Sequence, residues 1–138
     1  MQVQIHLANR ITNGLLWVTV TGEASLNNAV KIFQEAVDAA VQEGTNLILI
    51  DCSAMTGVLS GLDRYDLGSI SAEYALQRSE GSITFKVAVV GTPPVIDGFA
   101  ALVASNRGVT TETLLDMSNA IEWLNPFARS VHSVLPRP

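Results

Sequence analysis

The chain predicts an α/β layer fold: a mostly parallel sheet built on an N-terminal β-hairpin, with helices between the later strands. Three observations carry this. Leu47-Ile48-Leu49-Ile50 is apolar without alternation, as in a strand buried on both faces. Val87 to Val90 repeats that pattern. Strand and helix signals alternate along the chain as β-β-α-β-α-β-α-β-α, giving about five strands and about four helices. With 138 residues the chain has the size of one ordinary domain, read as 1–138, with 127–138 as a C-terminal tail.

The hairpin comes first. Val3 to Thr12 and Leu15 to Thr21 flank Asn13-Gly14, a strong signal for a two-residue turn. That turn places Ile11 opposite Leu16, Arg10 opposite Trp17 and Leu7 opposite Val20, with Arg10 over Trp17 as a cation–π pair. Ser25 is an N-cap. Leu26, Ala29, Val30, Phe33, Ala36, Val37, Ala40 and Val41 then recur at helical spacing, and Gly44 supplies the left-handed stop. Strand, helix and strand make a βαβ unit, so the strand at Leu47 runs parallel to the one at Leu15.

The strand at Leu47 is expected to end at Asp51 and pass through a loop to Ser60-Gly61. A second helix follows from about Gly61 to Arg78, with Leu62, Tyr65, Ile70, Tyr74 and Ala75 near one face. After Val87 to Val90 come the loop Gly91-Thr92-Pro93-Pro94 and a helix from Phe99 to Asn106, capped by Asp97 and stopped at Gly108. Thr113 to Leu115 is a short strand. Asp116 caps a last helix through Leu124, which Pro126 is expected to stop.

Composition removes several classes of function. The formal net charge is −5 with no cluster of Lys or Arg, which argues against nucleic acid. No apolar run approaches the roughly 18 residues of a membrane span. The N-terminal MQVQIHLANR alternates like a strand and lacks the shape of a signal peptide, so a cytoplasmic location is expected. A single Cys52 excludes an internal disulfide, and two isolated His offer no metal-ligand spacing. No phosphate-binding glycine motif or nucleophile elbow is present, so neither a cofactor nor a metal is expected.

The candidate regulatory or binding loop comprises Asp51, Ser60, Gly61, Arg64 and Tyr65, because α/β proteins place sites at the carboxyl ends of strands. Asp51 reads either as a catalytic acid or base or as an acceptor for nearby N–H groups. Cys52 has no His with a signature placing it close by and reads as a core-edge residue. Ser60 reads as an N-cap, and a phosphate there would meet unpaired N–H groups and the positive helix end.

The order VTVTGEAS, helix, LILIDCSAM, loop, SGL, helix, VAVVG, helix, short strand and DMSNAIEWL resembles the SpoIIAA-like superfamily. That superfamily holds the STAS anti-sigma-factor antagonists and their CRAL-TRIO-like relatives. The resemblance covers about Leu15 to Leu124, and MTGVLSGLDRYDLG and ASNRG look similar to an uncharacterised bacterial branch. It implies a β-α superhelix around a central sheet. The antagonists carry a phosphorylated Ser in a DSSGL-like loop. Ser60, Gly61 and Leu62 match that loop here, whereas Leu59 stands in place of its Asp and the loop is shorter.

The leading expectation is therefore a non-enzymatic STAS-like regulatory or protein-interaction module. The alternative is a small-molecule or lipid-binding domain, and an uncharacterised enzyme is third. An interaction module predicts a shallow surface around Ser60, a carrier an apolar pocket between helices and sheet, and an enzyme convergent titratable groups near Asp51. The expected partners are a protein or a second copy, with a small apolar ligand under the alternative. A homodimer is expected because the apolar strands need cover on their second face. The candidates for that cover are the tail (Phe127, Val131, Val134, Leu135) and another chain.

Overall fold

The computed structural model describes residues 1–8, 14–79 and 84–134, with side chains through residue 128. Among the described residues five strands form one sheet in sequence order: β1 (Gln2–Ala8), β2 (Leu15–Glu23), β3 (Leu47–Thr56), β4 (Lys86–Val90) and β5 (Thr110–Leu114). β1 is antiparallel to β2, and every later neighbour is parallel. The helices are α1 (Leu26–Glu43), α2 (Gly61–Ser79), α3 (Phe99–Asn106) and α4 (Met117–Val134). This is the predicted α/β architecture of five strands and four helices.

α1 has the caps its sequence announces. Ser25 Oγ accepts from the Asn28 N–H at 3.4 Å, and Gly44 takes φ 74°, a left-handed conformation that costs glycine little. Strand alternation then divides the core. Val18, Val20, Ile48, Ile50 and Val87 face α1, α2 and α3, together with Ala36, Ala72 and Ala104 from those helices. Leu15, Leu47, Leu49, Ala88 and Val90 face the other way, against Ala120, Leu124 and Ala128 of α4.

The hairpin register differs from the expected one. Ala8 pairs with Leu15, where the two-residue turn would have placed Thr12, a slip of four residues. The slip is even, so each side chain keeps its face. It also improves the pairing: Val3, Ile5 and Leu7 lie opposite Val20, Val18 and Leu16, whereas the expected register sets Asn9 against Val18. His6 thus lies across from Trp17, and their rings stack at 5.9 Å between centroids. The Arg10–Trp17 pair and the Asn13 half of the turn fall on residues 9–13, outside the described residues.

Other elements also depart from expectation: β5 spans Thr110–Leu114 rather than Thr113 to Leu115, and α3 has Gly98 rather than Asp97 at its N-cap. β3 does not stop at Asp51 but runs on to Thr56, because β2 also continues and pairs Thr21, Gly22 and Glu23 with Ala54, Met55 and Thr56 beyond a bulge. α2 buries Gly68, Ser71, Ala72, Ala75 and Ser79, and leaves Leu62, Tyr65 and Ile70 exposed. The close approach of α3 selects that face: a Cβ on Gly68 would collide with the Ala100 carbonyl oxygen and Val103. α4 passes Pro126 and extends to Val134. Pro126 and Glu122 are exposed, so the carbonyl left without its proline N–H lies on the wet side, while Ala128 is buried against the sheet. α4 therefore covers the second face of β3 and β4 from within the chain, through Ala120, Leu124 and Ala128, while Leu135 and the side chains of Val131 and Val134 lie outside the described residues. The packing reason for expecting a second copy is removed.

Candidate functional site

Small residues on α2 and α3 leave a space that the sheet does not fill. Between α1, α2, α3 and the inner sheet face lies a cavity of about 130 Å³. Its walls are mostly apolar: Ile32 and Phe33 from α1, Leu67 and Gly68 from α2, Val87 and Val89 from β4, and Ala101 and Ala104 from α3. Ile96, on the loop before α3, adds to the lining.

Among the described residues the ionisable side chains in the lining are Arg64, Asp97 and Cys52. Arg64 Nη1 donates to Asp97 Oδ2 at 2.6 Å, and Arg64 Nη2 donates to the Pro94 carbonyl oxygen at 2.6 Å. The side chain of Arg64 is 15% exposed and that of Asp97 is 36% exposed, so the pair ties α2 to the loop before α3 at a partly wet rim. Desolvation pushes the Cys52 thiol up to about 12, and the nearby Asp51 charge adds to the shift. Cys52 is therefore a neutral thiol at physiological pH, the core-edge residue its sequence context indicated, and a poor nucleophile.

Three hydroxyl side chains also line the cavity. Thr111 Oγ1 donates to the Val109 carbonyl at 2.9 Å. Ser71 Oγ and Thr113 Oγ1 are buried and make no hydrogen bond among the described residues. Ser71 is an unusual case, because a helical serine ordinarily bonds the preceding turn or faces water.

The candidate residues from the sequence separate into distinct places. Asp51 sits within β3, where strand alternation sets it on the side opposite Ile50 and Cys52, away from the cavity. Its Oδ1 accepts from the Ser53 N–H at 3.0 Å and from Ser53 Oγ at 2.6 Å, the N–H-acceptor role of the two read for it. Ser60 caps α2, accepting from the Asp63 N–H at 3.0 Å, and it is exposed. Gly61 is open to solvent, with nothing near the place a Cβ would take. Tyr65 accepts a hydrogen bond from Arg107 Nη2 at 2.7 Å on the outer surface. Arg64 alone of the five lines the cavity.

Sequence reasoning missed Ser71, Thr113 and Asp97 as lining residues. One usable signal was the run of small residues at 68, 71, 72, 75 and 79, whose three- and four-residue spacing marks a helix face that a neighbour approaches closely. Among the described residues no group of three or more His, Cys, Asp or Glu could hold a metal ion, and no helix is long and apolar enough to cross a membrane.

A mixed sheet with its order unbroken, three helices on one face and a C-terminal helix on the other defines a SpoIIAA-like α/β fold. The chain is similar to a solved structure described as an uncharacterised protein from the DUF3478 family with a SpoIIAA-like fold, from Shewanella loihica PV-4. The two share 17% sequence identity with a TM-score of 0.56, over 88% of this chain and 93% of that one. That likeness establishes the fold. No family model matches the sequence, and no curated protein matches it either.

Proposed function

We propose that this domain is a non-catalytic binding module whose cavity takes a small apolar molecule. The observation that carries the reading is the cavity itself, a space of about 130 Å³ between three helices and the sheet, where a close-packed core would have none. An engineered apolar cavity of roughly 150 Å³ in another protein is large enough for benzene, so the space is of the right order for one small ring. The protonated Cys52 and the committed Asp51 favour binding over catalysis.

The test is native mass spectrometry of the gently purified protein beside its Ala104→Leu variant, whose larger side chain would fill the space. The wild type should carry a small-molecule adduct, or acquire one from added small aromatics, and the variant should not. Equal adducts on both proteins, or none on either, would count against the reading.

A second reading, docking of a protein partner, is favoured by the surface around Ser60. Val58 and Leu62 are 57% and 71% exposed, and Tyr65 is also exposed, so exposed apolar and aromatic side chains lie close in sequence to the accessible Ser60 hydroxyl. Leu62→Glu should then abolish retention of a defined partner from the native host without changing Tm. Unaltered retention would rule this surface out.

A further inference from the structure

The two edges of the sheet are finished differently. β5 forms one edge, and side chains close it. The Thr111 N–H donates to Ser105 Oγ at 2.9 Å, and Ser105 Oγ donates to the Thr111 carbonyl at 2.8 Å. The Thr113 N–H donates to Glu112 Oε1 at 3.3 Å. The strand is only five residues long, and Glu112 puts a charge on it. A further strand could pair there only by displacing those bonds.

β1, the other edge, has none of these protections. It is seven residues long and pairs with β2 at every position from Gln2 to Ala8 without a bulge. It contains no Pro, Lys, Arg, Asp or Glu. Among the described residues no strand pairs with its outer side, and no side chain bonds its backbone. Alternate N–H and C=O groups along β1 therefore face water, a ready template for another strand.

The side chains of β1 say which strand fits. Val3, Ile5 and Leu7 lie on the face toward α1, while Gln2, Gln4 and His6 lie on the other face. This order is symmetric about Ile5. When β1 is turned antiparallel onto a second β1, Ile5 meets the partner's Ile5, Val3 meets the partner's Leu7, and Gln4 meets the partner's His6. Directly opposite residues share a face, so apolar meets apolar and polar meets polar. Leu7, 40% exposed in the single chain, gains the partner's Val3 as cover. Each chain has a net charge of −5, yet the paired strands bring no acidic side chains together.

We propose that β1 is a self-association edge, pairing antiparallel with β1 of a second copy about a two-fold axis at Ile5. The pairing makes one sheet continuous across both chains and adds roughly six to eight backbone hydrogen bonds. The closed β5 edge stops the assembly at two copies. Its ground is an open strand edge, not an uncovered apolar face, and it does not depend on what the cavity holds.

Light scattering on the full chain at high micromolar concentration should give twice the chain mass of 14.7 kDa. Gln4 and His6 are exposed, so charges there should leave the chain folded, as circular dichroism would verify. Gln4→Lys combined with His6→Lys sets lysine opposite lysine at both junction pairs and should weaken the dimer about tenfold or more. Gln4→Lys combined with His6→Glu sets opposite charges across the same pairs and should restore it. In the unsubstituted protein, amide exchange within β1 should slow as concentration rises.

A monomer mass overturns the proposal and leaves the edge to a strand of another protein. Masses that grow beyond two copies overturn the closed arrangement. A dimer that withstands the paired lysines, or that the Lys–Glu combination fails to restore, overturns the register about Ile5. Exchange in β1 that is independent of concentration overturns the proposal without recourse to any variant.

Discussion

The two faces of the sheet are built from the same strands and are packed differently. Toward α4, Leu15, Leu47 and Leu49 meet Leu124 with 0% or 1% exposure, and one long helix closes the layer. Toward α1, α2 and α3, Ile48, Val18 and Val87 are just as buried, yet the helices above them present Gly68, Ser71, Ala101 and Ala104 and leave a cavity. On α4, Leu124 with the partly buried Ile121, Trp123 and Phe127 fills the space around Ala120 and Ala128. Small residues on adjoining helices let those helices approach each other and move the unfilled volume to the sheet. The difference separates a face that holds the fold together from a face with room for a ligand.

The largest expected effect belongs to the filled face. Leu49 is 0% exposed between neighbours on both sides of β3, and Leu49→Ala should cost ~2–5 kcal/mol by chemical denaturation. A loss near surface values would break the contrast between faces at its strong end. Gly68→Ala should cost ~1–3 kcal/mol, because the new methyl meets the Ala100 backbone and Val103, neither of which can move freely. An unchanged denaturation midpoint would show that α2 and α3 are less closely seated than described.

The pH dependence of stability probes the hollow face. The folded-state pKa of the Cys52 thiol is raised from 9.0 to about 12, so below pH 9 it makes no difference between the folded and unfolded chains. Between pH 9 and 12 the unfolded thiol ionises and the buried one does not, so stability falls with rising pH by at most about 1.4 kcal/mol per unit. Cys52→Ala should flatten that slope in urea titrations, and a slope unaffected by the substitution would mean that the thiol is not desolvated. The smallest effect concerns the exposed cap of α2. Ser60→Ala should cost ~0.5–2 kcal/mol, while Ser60→Asp should be close to neutral, since a carboxylate also caps and suits the positive helix end. Equal losses for both substitutions would contradict a capping role.

What the sequence made legible follows the same division. α1 was readable because Ser25, Gly44 and most of its apolar stripe agree, although Val41 is exposed and Ile32 is buried in its place, and α3 was readable at its Gly108 end, whereas its N-cap is Gly98 rather than the expected Asp97. The apolar runs at Leu47 and Val87 gave the sheet, and alternation within it gave the two faces. α2's buried side was illegible because Gly68, Ser71, Ala72 and Ala75 carry little hydrophobic signal, whereas exposed Leu62 and Ile70 carry much. Asp51 looked like a strand end because Asp-Cys-Ser is not an apolar run, and only the pairing with β2 extends it. Pro126 looked like a stop because burial of Ala128 depends on the tertiary fold. Of the candidate site, Arg64 was found from its place at the start of α2. Ser71 and Thr113 were not, since whether a hydroxyl is paired is decided only once helices and sheet pack around it.

One matched pair of substitutions tests the contrast most directly. Ala104 lines the cavity and Ala120 lies in the α4 layer, and both are buried. Urea denaturation should show Ala120→Leu losing ~1–3 kcal/mol to overpacking, and Ala104→Leu losing less than about 1 kcal/mol or gaining stability as it fills open space. Equal losses at the two positions, or a greater loss at Ala104, would contradict the account of one filled face and one hollow one.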